Sequence, residues 1–407
     1  MTAPERRPPR EAFRWYGDFW RAVSDVSLKG AWILAGTRDQ RRFVDALELM
    51  IGGEPDSAEM AIRTLLAARD TLVREAARIT YGALLSERSD WKRLAELASS
   101  PSPAVADDAG VETWARAFRD LRPVVSFTDT VSVVPLFRAP TGAPVVTVVV
   151  NGVPRRFWLD TGSSITILSS AAAAACGVAP IGRDTLELLT PVGRLPARPA
   201  AARTIVIGGA AARDMPAMIV DAATLRLHTG DPARDAVIDG VIGFDIIRAL
   251  DLTIDDVRGH VIVRKPVRSP LGERRARTLF WFGLPIVSLT AANGAPVHLA
   301  LDTGAEESYG TPTLVVKTGA AWRRAERRRV HGFGGSAAPV RRIERGVVVP
   351  SVRLFLDRTP LILERVFLYD AQYPTIFTLD GTLGADAGRG GVMRIDMTNG
   401  RVEVRAR

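Results

Sequence analysis

Two copies of Asp-Thr-Gly end apolar stretches of this chain. They are Phe157-Trp158-Leu159-Asp160-Thr161-Gly162-Ser163 and Leu299-Ala300-Leu301-Asp302-Thr303-Gly304-Ala305. One such triplet carries little information, because three small residues recur by chance. Two, inside halves that repeat each other, suggest a pair of carboxylates brought face to face. Carboxylates held about 3 Å apart cannot both ionise cheaply and therefore share a proton. The ionised member can take a proton from a bound water while the protonated member polarises a carbonyl, which is general acid–base hydrolysis. Acid and base are not assigned to one aspartate or the other, because such a dyad titrates as a pair.

The halves keep register. Asp160 and Asp302 lie 142 positions apart, and Asp239-Gly240-Val241-Ile242-Gly243-Phe244-Asp245 recurs 141 positions later as Asp380-Gly381-Thr382-Leu383-Gly384-Ala385-Asp386. Ile254-Asp255, Gly259 and Val261 are answered by Ile395-Asp396, Gly400 and Val402. Upstream, Pro144 to Thr147 with Asn151-Gly152 resembles Pro285 to Ser288 with Asn293-Gly294. This pattern reads as a tandem duplication of one unit.

Each unit reads as β-structure. Val145 to Val150 and Ile286 to Leu289 are apolar and largely β-branched, and each precedes an Asn-Gly hairpin signal. Arg155 to Leu159 and Val297 to Leu301 form the next strands and run into the triplets, whose glycines permit a tight turn. Arg203 to Ile207 and Gly346 to Val349 give a further strand pair.

With these residues in place, the chain resembles the retropepsin-like and pepsin-like aspartic proteases. Members carry Asp-Thr-Gly followed by Ser, Thr or Ala after an apolar strand, then two apolar residues and a glycine. Val241-Ile242-Gly243 fits that pattern well and Thr382-Leu383-Gly384 less so. The resemblance covers roughly residues 135–407. It implies two all-β lobes related by a pseudo-twofold axis, like a retroviral-type dimer fused into one chain. The catalytic residues would be Asp160 and Asp302, in the cleft between lobes, with no cofactor and no metal. Thr161 and Thr303 would bond across the base of the dyad, and Gly162 and Gly304 would let the carboxylates approach. Ser163 and Ala305 complete the loops. A Ser or Thr at that position can bond the carboxylate, so Ala305 implies a less stabilised Asp302 anion and activity at mildly acidic pH.

The family closes a hairpin flap over an extended peptide. A glycine turn recurs 33 positions after each aspartate, at Gly193 and at Gly335. The flap candidates are therefore Val192 and Gly193 in one half and Phe333, Gly334 and Gly335 in the other, against the plain alternative of solvent turns. No tyrosine stands where a pepsin-type flap tyrosine would, which favours the retropepsin side. Asp245 reads as the cap of a short helix over Ile246 to Leu250.

The second half departs from the first. Ile165, Ile167 and Leu168 after Asp160 align with Glu307, Tyr309 and Gly310, and the stretch after Asp386 is poor in helix formers. Such wear implies different packing of the second lobe or a drift from catalysis towards holding peptide. Glu306 and Glu307 would raise the dyad's pKa, recognise basic substrate residues, or stand as solvated loop charges.

Residues 1–12 are Pro/Arg-rich and expected to be disordered. Residues 13–130 read as an α-helical domain, loosely tetratricopeptide-like, with helices over Arg41 to Ile51, Asp56 to Ser86, Asp90 to Leu97 and Val111 to Leu121. Asp56 with Glu59 suggests a capping box. The domain would recruit protein or simply pack on the rest. First and second lobes follow at 135–267 and 275–407.

Other chemistries find little support. His228, His260, His298 and His331 match no zinc spacing. Cys176 is single and reads as a small buried residue. The net charge of +9 rests mostly on arginine, since the only lysines are Lys29, Lys92, Lys265 and Lys317. The cluster Arg323, Arg324, Arg327, Arg328 and Arg329 reads as a solvated face, with no nucleic-acid motif beside it. No apolar run reaches a membrane span. The chain has no signal peptide as it stands, so the expectation is a cytoplasmic bacterial protein, or a periplasmic or secreted one if a leader is missing. The sequence thus predicts a multidomain α and β protein: an aspartic endopeptidase of peptides or proteins, active as a monomer. The alternative is an inactive double-lobe binding module.

Overall fold

The computed structural model describes residues 13–99, 108–139, 142–190, 193–227, 236–270, 276–321, 323–330, 342–371, 373 and 375–405. The chain divides into two compact units. One comprises Met1–Arg119, Phe280–Leu284 and Gln372–Leu379; the other comprises Asp120–Leu279, Pro285–Ala371 and Asp380–Arg407.

The first unit is helical, with helices Asp18–Ser24, Leu28–Leu34, Arg38–Ile51, Pro55–Leu65, Thr71–Glu87, Trp91–Ala98 and Asp108–Phe118. Phe43, Val44, Leu47, Ile62, Leu65, Val73, Ala76 and Leu84 fill its core. The expected helix from 56 to 86 is two helices. The first ends at Leu65, and Asp70 caps the second, accepting the N–H groups of Leu72 and Val73. The capping box is also corrected. Glu54 holds the N-cap position with Pro55 behind it, and the Glu59 carboxylate instead meets Arg88 and Arg93. Within this unit Phe280 and Phe282 stack around Phe377, the Trp281 indole donates to the Ala83 carbonyl at 3.3 Å, and Thr378 N–H donates to Ser24 at 2.7 Å. Both Phe280–Leu284 and Gln372–Leu379, read from sequence as second-lobe residues, therefore contribute to the helical core.

The second unit is built of sheets. It begins earlier than expected: helix ends at Phe118, and Val124–Phe127 and Val131–Pro135 are already strands. In one sheet the strands Pro144–Val150, Val153–Leu159, Gly240–Ile242, Ile167–Ser169, Ala210–Val220, Gly193–Ile207 and Leu186–Thr190 pair in that succession. A second sheet repeats the succession with Pro285–Ala291, Pro296–Leu301, Gly381–Leu383, Tyr309–Gly310, Thr359–Leu368, Arg342–Leu356 and Arg323–Val330. Each curls far enough for Pro144–Val150 to meet Gly193–Ile207, and for Pro285–Ala291 to meet Arg342–Leu356.

Worn residues did not change the strand pairing of the second sheet. Tyr309–Gly310 runs antiparallel to Gly381–Leu383 and parallel to Thr359–Leu368. Ile167–Ser169 makes the same two kinds of pairing. Backbone hydrogen bonds carry this geometry, so polar side chains do not abolish it. Glycine is still needed at the crossing: a Cβ at Gly381 would lie 2.1 Å from the Tyr309 carbonyl oxygen, and one at Gly240 2.3 Å from that of Ile167.

The two Asn-Gly turns differ. Asn151 and Gly152 both have positive φ, 47° and 88°, closing a two-residue hairpin between Val150 and Val153. At Asn293-Gly294 only the glycine does, and the turn is wider, closed by Ala291 N–H on Ala295.

A third sheet takes strands from both halves in the order Val131–Pro135, His260–Arg264, Asp251–Asp255, Val392–Asp396, Arg401–Arg405. Its middle pairing is antiparallel and centres on Thr253 opposite Arg394. Those positions lie 141 residues apart, the same offset that separates the two Asp-Gly-x-x-Gly-x-Asp segments. Arg394 spans the seam with a bidentate grip on Asp251, 2.8 Å to each carboxylate oxygen.

Candidate active site

Asp160 follows the strand Val153–Leu159 and Asp302 follows Pro296–Leu301. Each of those strands is flanked on one side by a parallel neighbour, Gly240–Ile242 or Gly381–Leu383. The neighbour's last residue then accepts the aspartate's own N–H: Asp160 N–H on Ile242 and Asp302 N–H on Leu383, both 3.0 Å. This fixes where each chain leaves its sheet.

Beneath the aspartates the two loops lock reciprocally. Thr161 N–H donates to the Thr303 hydroxyl at 3.1 Å, and Thr303 N–H donates to the Thr161 hydroxyl at 2.9 Å. The Thr161 hydroxyl donates to the Leu301 carbonyl at 2.9 Å, and that of Thr303 to Leu159 at 2.7 Å. Both threonines are buried. Both threonine N–H groups and both hydroxyls thus have partners across the seam, which removes much of the cost of burying them.

The glycines hold the carboxylates close. A Cβ on Gly162 would lie 2.5 Å from the Asp302 carboxyl carbon, and one on Gly304 2.5 Å from that of Asp160. Any side chain there would push the opposite carboxylate away. Asp160 and Asp302 share a hydrogen bond.

The N–H groups of Gly162 and Ser163 donate to Asp160 Oδ1 at 2.8 and 3.2 Å, and those of Gly304 and Ala305 to Asp302 Oδ1, both at 2.9 Å. The role expected of the Ser163 hydroxyl is corrected here. It donates to the Ile165 carbonyl at 2.7 Å, not to a carboxylate. Backbone N–H serves both aspartates, so Ala305 costs Asp302 nothing.

Burial pushes the Asp160 carboxyl well above the usual carboxylate range, and the neighbouring Asp302 charge adds to it, against the pull of the two N–H donors. Asp302 is raised by burial too, and is restrained by the hydrogen bond from Asp160 and by Ala305 and Gly304 N–H. Two carboxyls so raised and so close favour a singly protonated pair. One carboxylate and one carboxylic acid side by side can deprotonate a water and protonate a carbonyl oxygen in the same event.

Asp245 does not cap its helix, as the sequence suggested. Gly243 holds the N-cap position, and the Asp245 carboxylate accepts Thr166 N–H at 3.1 Å and the Thr166 hydroxyl at 2.9 Å. Asp386 does the same with Ser308, at 2.8 and 2.7 Å. Sequence reasoning passed over Thr166 and Ser308. A signal was present, since each lies six positions after its Asp-Thr-Gly aspartate and both carry a hydroxyl.

Of the flap candidates, Gly193 opens the strand Gly193–Ile207 and pairs with Thr190. Val192, Phe333, Gly334 and Gly335 lie outside the described residues. Glu306 and Glu307 are exposed. Cys176 is buried and forms no disulfide. Among the described residues, no group of three or more His, Cys, Asp or Glu is placed to hold a metal ion, and no helix is long and apolar enough to cross a membrane.

The profile of the family described as Aspartyl protease matches residues 146–246. That stretch contains Asp160 and runs through Asp245; Asp302 lies beyond it. Over that stretch the chain is similar to aspartyl proteases, the broad class to which the motifs also pointed. Among solved structures, a retropepsin-like aspartic protease from Rickettsia conorii is similar at 18% identity, covering 35% of this chain and 94% of that one, with a TM-score of 0.22. Among curated proteins, none matches this chain.

Proposed function

We propose that this chain is an aspartic endopeptidase using Asp160 and Asp302 of one polypeptide. The observation that carries the reading is the mutual seating of the two loops. Each glycine lies against the other loop's carboxylate, and each threonine hydroxyl bonds into the other loop. A protein that merely binds peptide has no physical need to bury two carboxylates against each other, an arrangement that costs free energy unless a proton is shared.

In the reaction, the ionised carboxylate takes a proton from a water lying between the pair, and the oxygen of that water attacks the peptide carbonyl carbon. The protonated carboxyl gives its proton to the carbonyl oxygen, forming a neutral gem-diol. Collapse of the gem-diol breaks the C–N bond, a proton passes to the departing amine, and the dyad returns to its singly protonated state. An extended peptide would lie between the two lobes. The seam register centred on Thr253 and Arg394 supports a pseudo-twofold relation between them and a single-chain active unit.

The inactive-binder reading drew on the worn second loop. Its support weakens because Tyr309–Gly310 keeps its ladder and Asp302 keeps its N–H donors. The deciding experiment is cleavage of a mixed peptide library across pH 3–8 by wild type, Asp160→Asn and Asp302→Asn. Loss of cleavage in both variants is expected. Cleavage that survives Asp302→Asn would sink the shared-dyad mechanism.

A further inference from the structure

The carboxylates Asp245 and Asp386 lie outside the dyad yet recur as faithfully as the dyad itself. Each belongs to a short turn of helix, Phe244–Ile247 or Ala385–Gly388, that follows a strand flanking the dyad. Each reaches back to the far end of its Asp-Thr-Gly loop. There it takes both the N–H and the hydroxyl of one residue, Thr166 or Ser308. That hydroxyl oxygen in turn accepts Gly243 N–H at 3.2 Å, or Gly384 N–H at 2.9 Å.

The turn following each strand grips the middle of the loop as well: Phe244 N–H donates to the Ser163 carbonyl at 2.7 Å, and Ala385 N–H to Ala305 at 2.9 Å. Ser163 and Ala305 are the residues whose own N–H groups hold the dyad carboxylates. Hydrogen bonds joined through adjacent backbone residues therefore link each outer carboxylate to one inner carboxylate. Thr166 and Ser308 are almost wholly buried, so the bonds at these joints are not readily replaced by water.

We propose that Asp245 and Asp386 are positioning residues, each clamping one catalytic loop so that its dyad carboxylate stands in reacting geometry; this rests on the endopeptidase reading above. The two clamps are not chemically alike. Asp245 uses both oxygens, Oδ2 for the Thr166 N–H and Oδ1 for the hydroxyl, whereas Asp386 takes both bonds on Oδ1 alone. An asparagine has one acceptor oxygen. Asp386→Asn can therefore keep both bonds, while Asp245→Asn keeps the Thr166 N–H bond only by presenting its NH2 to the Thr166 hydroxyl, which must then reverse from donor to acceptor and loses its bond to a carboxylate.

The test measures kcat and KM for Asp245→Asn, Asp386→Asn, Asp386→Ala, Thr166→Val and Thr166→Ser, together with amide hydrogen exchange at Gly162 and Ser163. Asp245→Asn, Asp386→Ala and Thr166→Val should lower kcat about 10- to 100-fold, as small misplacements of reacting groups do, with little change in KM. Asp386→Asn and Thr166→Ser should stay close to wild type. Exchange at Gly162 and Ser163 should speed up in Asp245→Asn. Should Asp245→Asn fail to fold, Thr166→Val removes the hydroxyl's two bonds, to Asp245 and from Gly243 N–H, while leaving the Thr166 N–H bond, and carries the same comparison. Equal behaviour of the two Asp→Asn variants, or wild-type kcat and exchange in Asp245→Asn, overturns the proposal. A wild type that cleaves nothing overturns the endopeptidase reading, and the exchange measurement then still decides whether the clamp exists.

Discussion

Thr161 and Thr303, 142 residues apart in the chain, exchange hydrogen bonds in both directions, each N–H to the other's hydroxyl. Each hydroxyl then donates to the carbonyl of the residue preceding the other aspartate. Neither loop is complete alone. Removing the Thr161 hydroxyl strips a partner from Thr303 N–H and from the Leu301 carbonyl, both inside the protein. Thr161→Ala should cost roughly 2–5 kcal/mol, the penalty for two unsatisfied buried groups. Thr161→Ser keeps both bonds and should cost only about 1 kcal/mol for the lost methyl. Urea unfolding monitored by circular dichroism separates the two outcomes.

Gly162→Ala and Gly304→Ala test the close approach of the carboxylates. The added methyl would come within 2.5 Å of the opposite carboxyl carbon, so one of the two groups must move. Peptide cleavage should fall by about 100-fold or more, since the acid and base no longer address one water. Peptide turnover measured beside the melting temperature reads both effects. A full-activity alanine variant would contradict the geometry.

The raised dyad predicts the pH profile. Because burial lifts both carboxyls above the ordinary range, the singly protonated pair persists beyond about pH 4, where a free aspartate has lost its proton. The plot of kcat/KM against pH should be bell-shaped with a mildly acidic optimum, and Asp302→Asn should abolish the bell together with the activity. The sequence led to the same expected range through a missing Ser163-type hydroxyl at Ala305; in the structure the expectation rests on burial of the pair instead.

Stability should respond to acid through His298 and Asp245 in opposite senses. Burial, aided by the Lys317 charge, lowers the His298 imidazole to about 4. An unfolded histidine titrates near 6.5, so the unfolded chain takes the proton first and stability is lost as pH falls from about 6.5 towards 4. Asp245, lifted by burial to about 6, behaves in reverse. Its contribution is full below about pH 4 and is lost as pH rises through 6. His298→Gln should therefore flatten the acid side of the melting-temperature profile. Scanning calorimetry between pH 3.5 and 7.5 (a window of about two units either side of the midpoint region) would detect it, and an unchanged acid side would refute the assignment.

Arg394 closes the seam between the halves. Its bidentate grip on buried Asp251 leaves that carboxylate uncompensated if the guanidinium is removed. Arg394→Met should destabilise by about 2–4 kcal/mol, the lower part of the range for broken buried pairs because Arg394 is itself partly exposed. Adding Asp251→Asn should recover part of the loss in a double-mutant cycle.

Sequence alone determined the pieces that follow from local pattern. Alternating and β-branched runs marked three strands in each half, and the repeated Asp-Thr-Gly and Asp-Gly-x-x-Gly-x-Asp segments marked what had to be brought together. The helical stretch near the amino terminus was legible from its apolar spacing. The break at Asp70 was missed because a capping aspartate inside an apolar-periodic run looks like a surface charge.

Tertiary structure alone decided how the pieces serve one another. Asp245 next to an apolar run looks like a helix cap until Thr166, 79 residues away, is seen to occupy its carboxylate. Ser163 looks like a carboxylate donor until its hydroxyl is found on Ile165. Glu307, Tyr309 and Gly310 look like decay until the backbone ladder shows that pairing survives them. Phe280–Leu284 and Gln372–Leu379 belong by sequence to the second lobe and by packing to the helical core. Residue type and spacing set which groups are available, because those preferences act over a few residues. Which group each one meets depends on how the folded chain brings segments together, as with Asp245 and Thr166, 79 positions apart, which local preference does not encode.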